Sequence, residues 1–150
     1  MSHWQKGKIS LNCSIDILRK ALINIMPEWE KHIKVDPSKQ LTANSSYQGP
    51  LSGYSLVIPQ GENTGVRGAD IGFKQEQDGT WSVSFDYVPY KWKGSNIAGT
   101  VALEVSKMRV REAANYYGLE ITKDQLENEE HVIKVMVPVA FRDKKARSKQ

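Results

Sequence analysis

Between Ile71 and Tyr87 the chain alternates apolar and polar residues on both sides of an Asp78-Gly79 pair, and no other stretch restricts the fold so tightly. Ile71 and Phe73 alternate on one arm, and Trp81, Val83, Phe85 and Tyr87 on the other. A period of two belongs to strands with one face buried. Asp-Gly tolerates the positive φ angles of a tight type I′ turn, so the segment reads as an antiparallel hairpin. A hairpin buries its apolar face only within a larger sheet, and other segments can extend it. Lys6–Asn12, with Ile9 and Leu11 on one side, reads as a first strand. Ile33 and Val35 alternate with Lys34, and Tyr54–Ile58 is an apolar run ended by Pro59. Leu119–Lys123 and Val132–Val139 read as a closing pair joined by the acidic connection 124–130.

Two stretches change period. Ser14 offers an N-cap hydroxyl and Asp16 a first-turn carboxylate that the helix dipole favours. Ile15, Leu18, Leu22 and Ile25 then follow at helical spacing, and Pro27 stops the pattern. A second helix is predicted over Ile97–Tyr117, after the break and cap Gly94-Ser95-Asn96. Leu103, Val110, Ala113, Ala114 and Tyr117 line one face, with Val101, Val105 and Met108 beside them. Gly118 is placed to close it as the C′ residue.

Between these elements, Ser, Asn, Gly and Pro dominate residues 36–53, which read as a long loop. Residues 60–68, with three glycines, read as a flexible connection. The order β, α, a run of strands, a long α, then β argues for an α+β fold. Its sheet is mostly antiparallel with two helices on one face, and a ferredoxin-like or split βαβ arrangement is the most economical version. The expected organisation is a single α+β domain over 1–139 followed by a basic tail, 140–150, read as a disordered end.

At 150 residues such a domain can bury roughly 70% of the surface its unfolded chain exposes. The formal charge of +4 resides in the tail: Arg142, Lys144, Lys145, Arg147 and Lys149 face only Asp143. The other 139 residues hold 16 basic and 16 acidic groups, so the body is neutral. No apolar run approaches the ~18 residues that span a bilayer, and the N-terminus has no secretory h-region. The one cysteine, Cys13, cannot form an internal disulfide, which fits a reducing compartment. These features predict a cytoplasmic protein, with no membrane role.

Candidate chemistry is sparse. Met1-Ser2-His3 could bind Cu(II) or Ni(II) in a square plane, but removal of Met1 before the small Ser2 destroys that spacing. His3 and Trp4 instead read as anchors of the first strand. His32 and His131 lack a second ligand at metal spacing. Cys13 sits at a helix N-terminus without an identifiable base and reads as a small core residue. Gly61, Gly65 and Gly68 lack the Gly-Lys-Ser/Thr step that opens a phosphate-loop helix. No catalytic, metal or cofactor site is predicted.

The strongest surface candidate is Tyr87, Tyr90, Lys91, Trp92 and Lys93, aromatics interleaved with lysines. Such a segment suits a protein partner or stacked bases with phosphates. It can also simply pack, with Trp81 and Tyr87 in the core and Tyr90 and Trp92 over a sheet edge. The basic tail, Arg142 to Lys149, adds the expectation of salt-dependent affinity for nucleic acid or acidic protein.

Several of these residues also form a recognisable pattern. Met1-Ser2-His3-Trp4 opens the chain; the block Ala69-Asp70-Ile71-Gly72-Phe73-Lys74 precedes Asp78-Gly79-Thr80-Trp81 and a strand ending near Asp86; the second helix ends at Tyr116-Tyr117-Gly118. In this the sequence resembles the family typified by chloroplast hypothetical open reading frame thirty-five, small Met-Ser-His-Phe/Trp proteins of plastids, cyanobacteria, other bacteria and phages. The likeness touches about two-thirds of the chain. Residues 37–68 look longer than the family's middle, and the tail is not a constant feature. The resemblance implies the fold and no catalytic residue. It implies a partner role beside a MoxR-type AAA+ ATPase, and the plastid stroma for a plastid-encoded member.

The sequence is therefore read as a non-enzymatic accessory or adaptor protein, with residues 87–92 and the long loop as contact surfaces and an AAA+ ATPase as a candidate partner. The alternative reading is a nucleic-acid-associated protein that uses the tail and the segment Tyr87–Lys93.

Overall fold

In the computed structural model the described residues are 3–94, 96–127 and 130–136. The predicted hairpin is present as β6 (Ile71–Gln75) and β7 (Trp81–Phe85), the centre of a five-stranded sheet. The other strands are β1 (Gln5–Ile9), β2 (Lys34–Val35) and β5 (Leu56–Ile58), in the order β1-β7-β6-β5-β2, every neighbour antiparallel. The turn differs from expectation. Glu76 N–H bonds to Thr80 O, Gly79 N–H bonds to Glu76 O, and of the turn residues only Gly79 (φ 85°) has positive φ. That is a three-residue connection with a glycine bulge, so one left-handed residue suffices where type I′ needs two.

Register divides the sheet into two unlike faces. Ile9 opposes Trp81, Val83 opposes Phe73, and Phe73 opposes Leu56, all on one side and all fully buried. The helices cover this side. α1 (Ile15–Ile25) begins at Ser14, whose hydroxyl accepts the Ile17 N–H, and it buries Leu18, Ala21 and Leu22. Burying each leucine contributes roughly 1.5–3 kcal/mol. α2 (Ile97–Tyr116) brings Ala98 against Gly7, where an added Cβ would lie 3.0 Å from the alanine Cβ. Asn24 Nδ2 donates to Glu104 Oε1 at 3.1 Å and joins the two helices on this face.

β1 and β2 run parallel at opposite edges of the sheet, linked through α1, with three strands between them. This is a split βαβ unit in its widest form. The interleaving of a ferredoxin-like sheet stops there, because β8 (Glu120–Glu127) and β9 (Glu130–Met136) pair with one another. The chain divides into two compact units, Met1–Val105 and Ser106–Gln150.

Two segments read as loops have structure of their own. Residues 36–53 hold β3 (Leu41–Ala43) and most of β4 (Leu51–Tyr54), which pair as a hairpin. Its few apolar residues all point one way: Ala43 and Tyr54 join Val57 in a small buried cluster flanked by Trp4, Leu41 and Leu51. The polar composition concealed this face. Ser55 separates β4 from β5, so the predicted strand 54–58 serves two sheets. Residues 60–68 are pinned rather than free: Gly61 N–H bonds to Val66 O, and Thr64 Oγ1 donates to Pro59 O at 2.7 Å.

The second helix buries part of the expected stripe. Val101, Val105 and Ala114 are buried as expected, together with Ile97 and Glu104, whereas Leu103, Val110 and Tyr117 are exposed. Gly118 does close the helix, with Leu119 N–H on Ala114 O and Gly118 N–H on Asn115 O, the paired bonds of a Schellman cap. Beyond it, Asp124 belongs to β8 rather than to a connection, and Arg111 Nε and Nη2 grip its two carboxylate oxygens at 2.8 and 3.0 Å. Among the described residues no helix is long and apolar enough to cross a membrane.

Candidate functional site

The segment after β7 leaves the sheet at Asp86 and is fixed by buried aromatic rings. Trp92 stacks on Trp29, ring centroids 5.8 Å apart, and donates its indole N–H to Asn96 O. Trp29, from the 3₁₀ turn Pro27–Trp29, donates to Thr64 O at 2.7 Å. Tyr90 N–H bonds in turn to Gly65 O at 3.0 Å. Three stretches distant in sequence thus share one anchor. Gly65 lies against the Tyr90 backbone with φ 72°, a left-handed conformation in which a side chain would be strained and crowded.

Above this anchor stand the exposed groups. Tyr90 is 67% exposed and Tyr87 43%. The Arg67 guanidinium lies over the Tyr87 ring, 5.3 Å from its centroid, and donates to Val88 O. Lys91, at φ 69°, places its ammonium 6.0 Å from the Tyr90 centroid. A groove of about 490 Å³ lies on one side of Tyr90, lined by Gln60, Glu62, Val66 and Arg67. A second of about 500 Å³ is lined by Glu28, Glu62, Asn63, Thr64 and Lys91. Tyr90 forms a wall of both.

Of the five residues singled out in the sequence, Tyr90 and Lys91 line these grooves, and Tyr87 borders them only through its contact with Arg67. Trp92 is buried beneath them, and Lys93 is exposed but lines neither. Trp81 is in the core as expected but Tyr87 is not, and of Tyr90 and Trp92 only Trp92 is buried, against Trp29. The basic tail residues Arg142, Lys144, Lys145, Arg147 and Lys149 lie outside the described residues. Trp29, Glu62 and Arg67 escaped the sequence reading, and Gly65 was weighed only as part of a phosphate loop, because a glycine-rich stretch resembles slack and no local pattern ties Trp29 to Trp92.

The remaining candidates fall elsewhere. His3 is exposed, its Nδ1 3.3 Å from Gln48 Nε2, and the neighbouring Trp4 N–H donates to Gln48 Oε1. Cys13 is buried, and its carbonyl accepts the Trp81 indole N–H at 2.9 Å. No group of three or more His, Cys, Asp or Glu able to hold a metal ion occurs among the described residues. Buried carboxylates do occur. Asp70 accepts the Asn44 and Gln60 N–H groups, both at 2.9 Å, which fastens the β3–β4 hairpin and the 60–68 turn to β6.

Comparison with protein-family models, with curated proteins and with solved structures finds no match to this chain.

Proposed function

We propose that the chain is a non-enzymatic accessory or adaptor protein that engages a protein partner through the double groove around Tyr90. The observation that supports this most directly is the contrast between anchor and display. Trp29 and Trp92 are buried and stacked, while Tyr90 stands two-thirds exposed on the same anchor. Exposed tyrosines held on a fixed backbone contribute large contact area at low entropic cost, and so dominate many interfaces. Each groove pairs opposite charges, Arg67 with Glu62 in one and Lys91 with Glu28 and Glu62 in the other, which would set the register of the partner. The resemblance to the Met-Ser-His-Phe/Trp family implies a partner class, a MoxR-type AAA+ ATPase.

Calorimetric titration of the chain with the AAA+ ATPase of its own source tests the reading. Binding should be measurable, and Tyr90→Ala with Tyr87→Ala should weaken it at least tenfold while the far-ultraviolet spectrum is unchanged. An affinity that ignores both tyrosines would remove the groove from the account.

A further inference from the structure

The five strands of the main sheet carry four charged side chains, and all four are lysines: Lys6, Lys8, Lys34 and Lys74. Register places all of them on one face. Lys6 opposes Ser84, Lys8 and Lys74 both oppose Ser82, and Lys34 opposes Val57, in rows that alternate with the buried helix-covered rows. The β3–β4 hairpin covers part of this face, seating the Tyr54 ring on Gly72 and its cluster on Val57. Lys6 and Lys8 are exposed beside Ser84 and Ser82, and the half-buried Lys74 runs from Ser82 along the hairpin's edge, its ammonium against Gly53 and Tyr54.

Lysines on an edge strand such as β1 commonly serve only to prevent edge-to-edge pairing. Lys74 does not fit that account, since β6 is flanked by β5 and β7. Its ammonium lies 4.8 Å from the Tyr54 ring centroid, which holds it over the sheet. Among the described residues no salt bridge ties any of the three to a carboxylate. Asp78, which feels the charge of Lys8, is itself engaged by the Thr80 hydroxyl and N–H. Lys6 and Lys8 recur at about 7 Å along the strand, and Lys74 lies two strands away.

We propose that this face binds the phosphate backbone of single-stranded nucleic acid. Three ammonium groups without a carboxylate partner, on one face with the half-buried Ser82, suit a chain of regularly spaced single charges. Trp4 lies two residues before Lys6 on the same face and is only half-buried, so it offers a ring surface for a base. The site is separate from the Tyr90 groove and from the basic tail.

Fluorescence anisotropy with a labelled thymidylate 12-mer at low salt tests the assignment on the full chain. Lys6→Gln, Lys8→Gln and Lys74→Gln together should weaken binding at least tenfold and reduce the log–log salt slope by about 2. The corresponding arginine triple variant should retain binding. Lys8→Gln alone, a change at an exposed position, should lower the slope by about 0.7. The same 150-residue chain with its five tail cations changed to glutamine should still bind. The proposal is overturned by absence of binding, by a glutamine triple variant within twofold of the parent, by loss of all binding in the tail variant, or by polyglutamate competing as well as unlabelled oligonucleotide.

Discussion

The indole rings of Trp29 and Trp92 lie nearly parallel, with an interplanar angle of 22°, and each donates its N–H to a main-chain carbonyl. They are 63 positions apart in sequence, and together they hold the turn at 60–68 and the chain after β7 in one block. Trp92→Ala should therefore destabilise the protein by about 3–5 kcal/mol, the usual cost of truncating a buried tryptophan. Tyr90→Ala, two residues away, should stay within about 0.5 kcal/mol of the parent, as exposed positions do. Urea denaturation of both variants separates the anchor from the displayed ring; equal losses would mean that Tyr90 packs rather than presents.

Asp70 occupies the position where two peripheral segments meet the sheet. Each of its carboxylate oxygens accepts one main-chain N–H, from Asn44 and from Gln60, and the residue is 6% exposed. Asp70→Ala leaves both donors without their acceptor and should cost about 2 kcal/mol or more. Asp70→Asn keeps one acceptor oxygen and should lose less. Hydrogen exchange at the Asn44 and Gln60 amides should accelerate in the alanine variant ahead of the core strands. If exchange there is unchanged, the carboxylate does not fasten these segments.

In the second unit, Arg111 meets Asp124 in a two-pronged contact with both side chains about one-third exposed. A double-mutant cycle with Arg111→Ala and Asp124→Ala should give a coupling of about 0.5–1 kcal/mol, within the range of surface pairs. Raising salt to about 1 M should remove most of it, because the screening length then falls to roughly 3 Å. A salt-insensitive coupling would point to packing of the arginine stem as its source.

How far the sequence led depended on whether the signal was local. The Ser14 cap, the alternating hairpin and the Gly118 terminus are governed by a few adjacent residues, and each was legible. The stripe of α2 was legible only in part. Apolar residues occur around much of that helix, so periodicity gave one broad stripe that held the buried Val101 and Val105 together with the exposed Leu103, Val110 and Tyr117. The β3–β4 hairpin has just Leu41, Ala43, Leu51 and Tyr54 to bury, too few to stand out among serines and glycines. In the candidate site Tyr87, Tyr90 and Lys91 were legible as exposed composition. For Trp92 the sequence left display and packing both open, because its burial is decided by Trp29, a neighbour in space that is distant in sequence.

Tyr54 connects that hairpin to acid–base behaviour. Its ring covers Gly72 and is almost fully buried, and burial raises the phenol pKa above its usual 10.0, opposed by a weaker hydrogen bond to Ser84. The folded state therefore holds the phenolic proton more tightly than the unfolded chain does. Above pH 10 the unfolded chain releases this proton first, so the unfolding free energy falls as pH rises through the window between the two values. Below pH 10 both states are protonated and the contribution is fully present. Tyr54→Phe has no proton to lose. Its urea midpoint should lie below that of the parent at pH 8, through loss of the Ser84 bond, and the gap should narrow between pH 10 and pH 11. Parallel curves for parent and variant across that interval would show that Tyr54 is not desolvated in the folded protein.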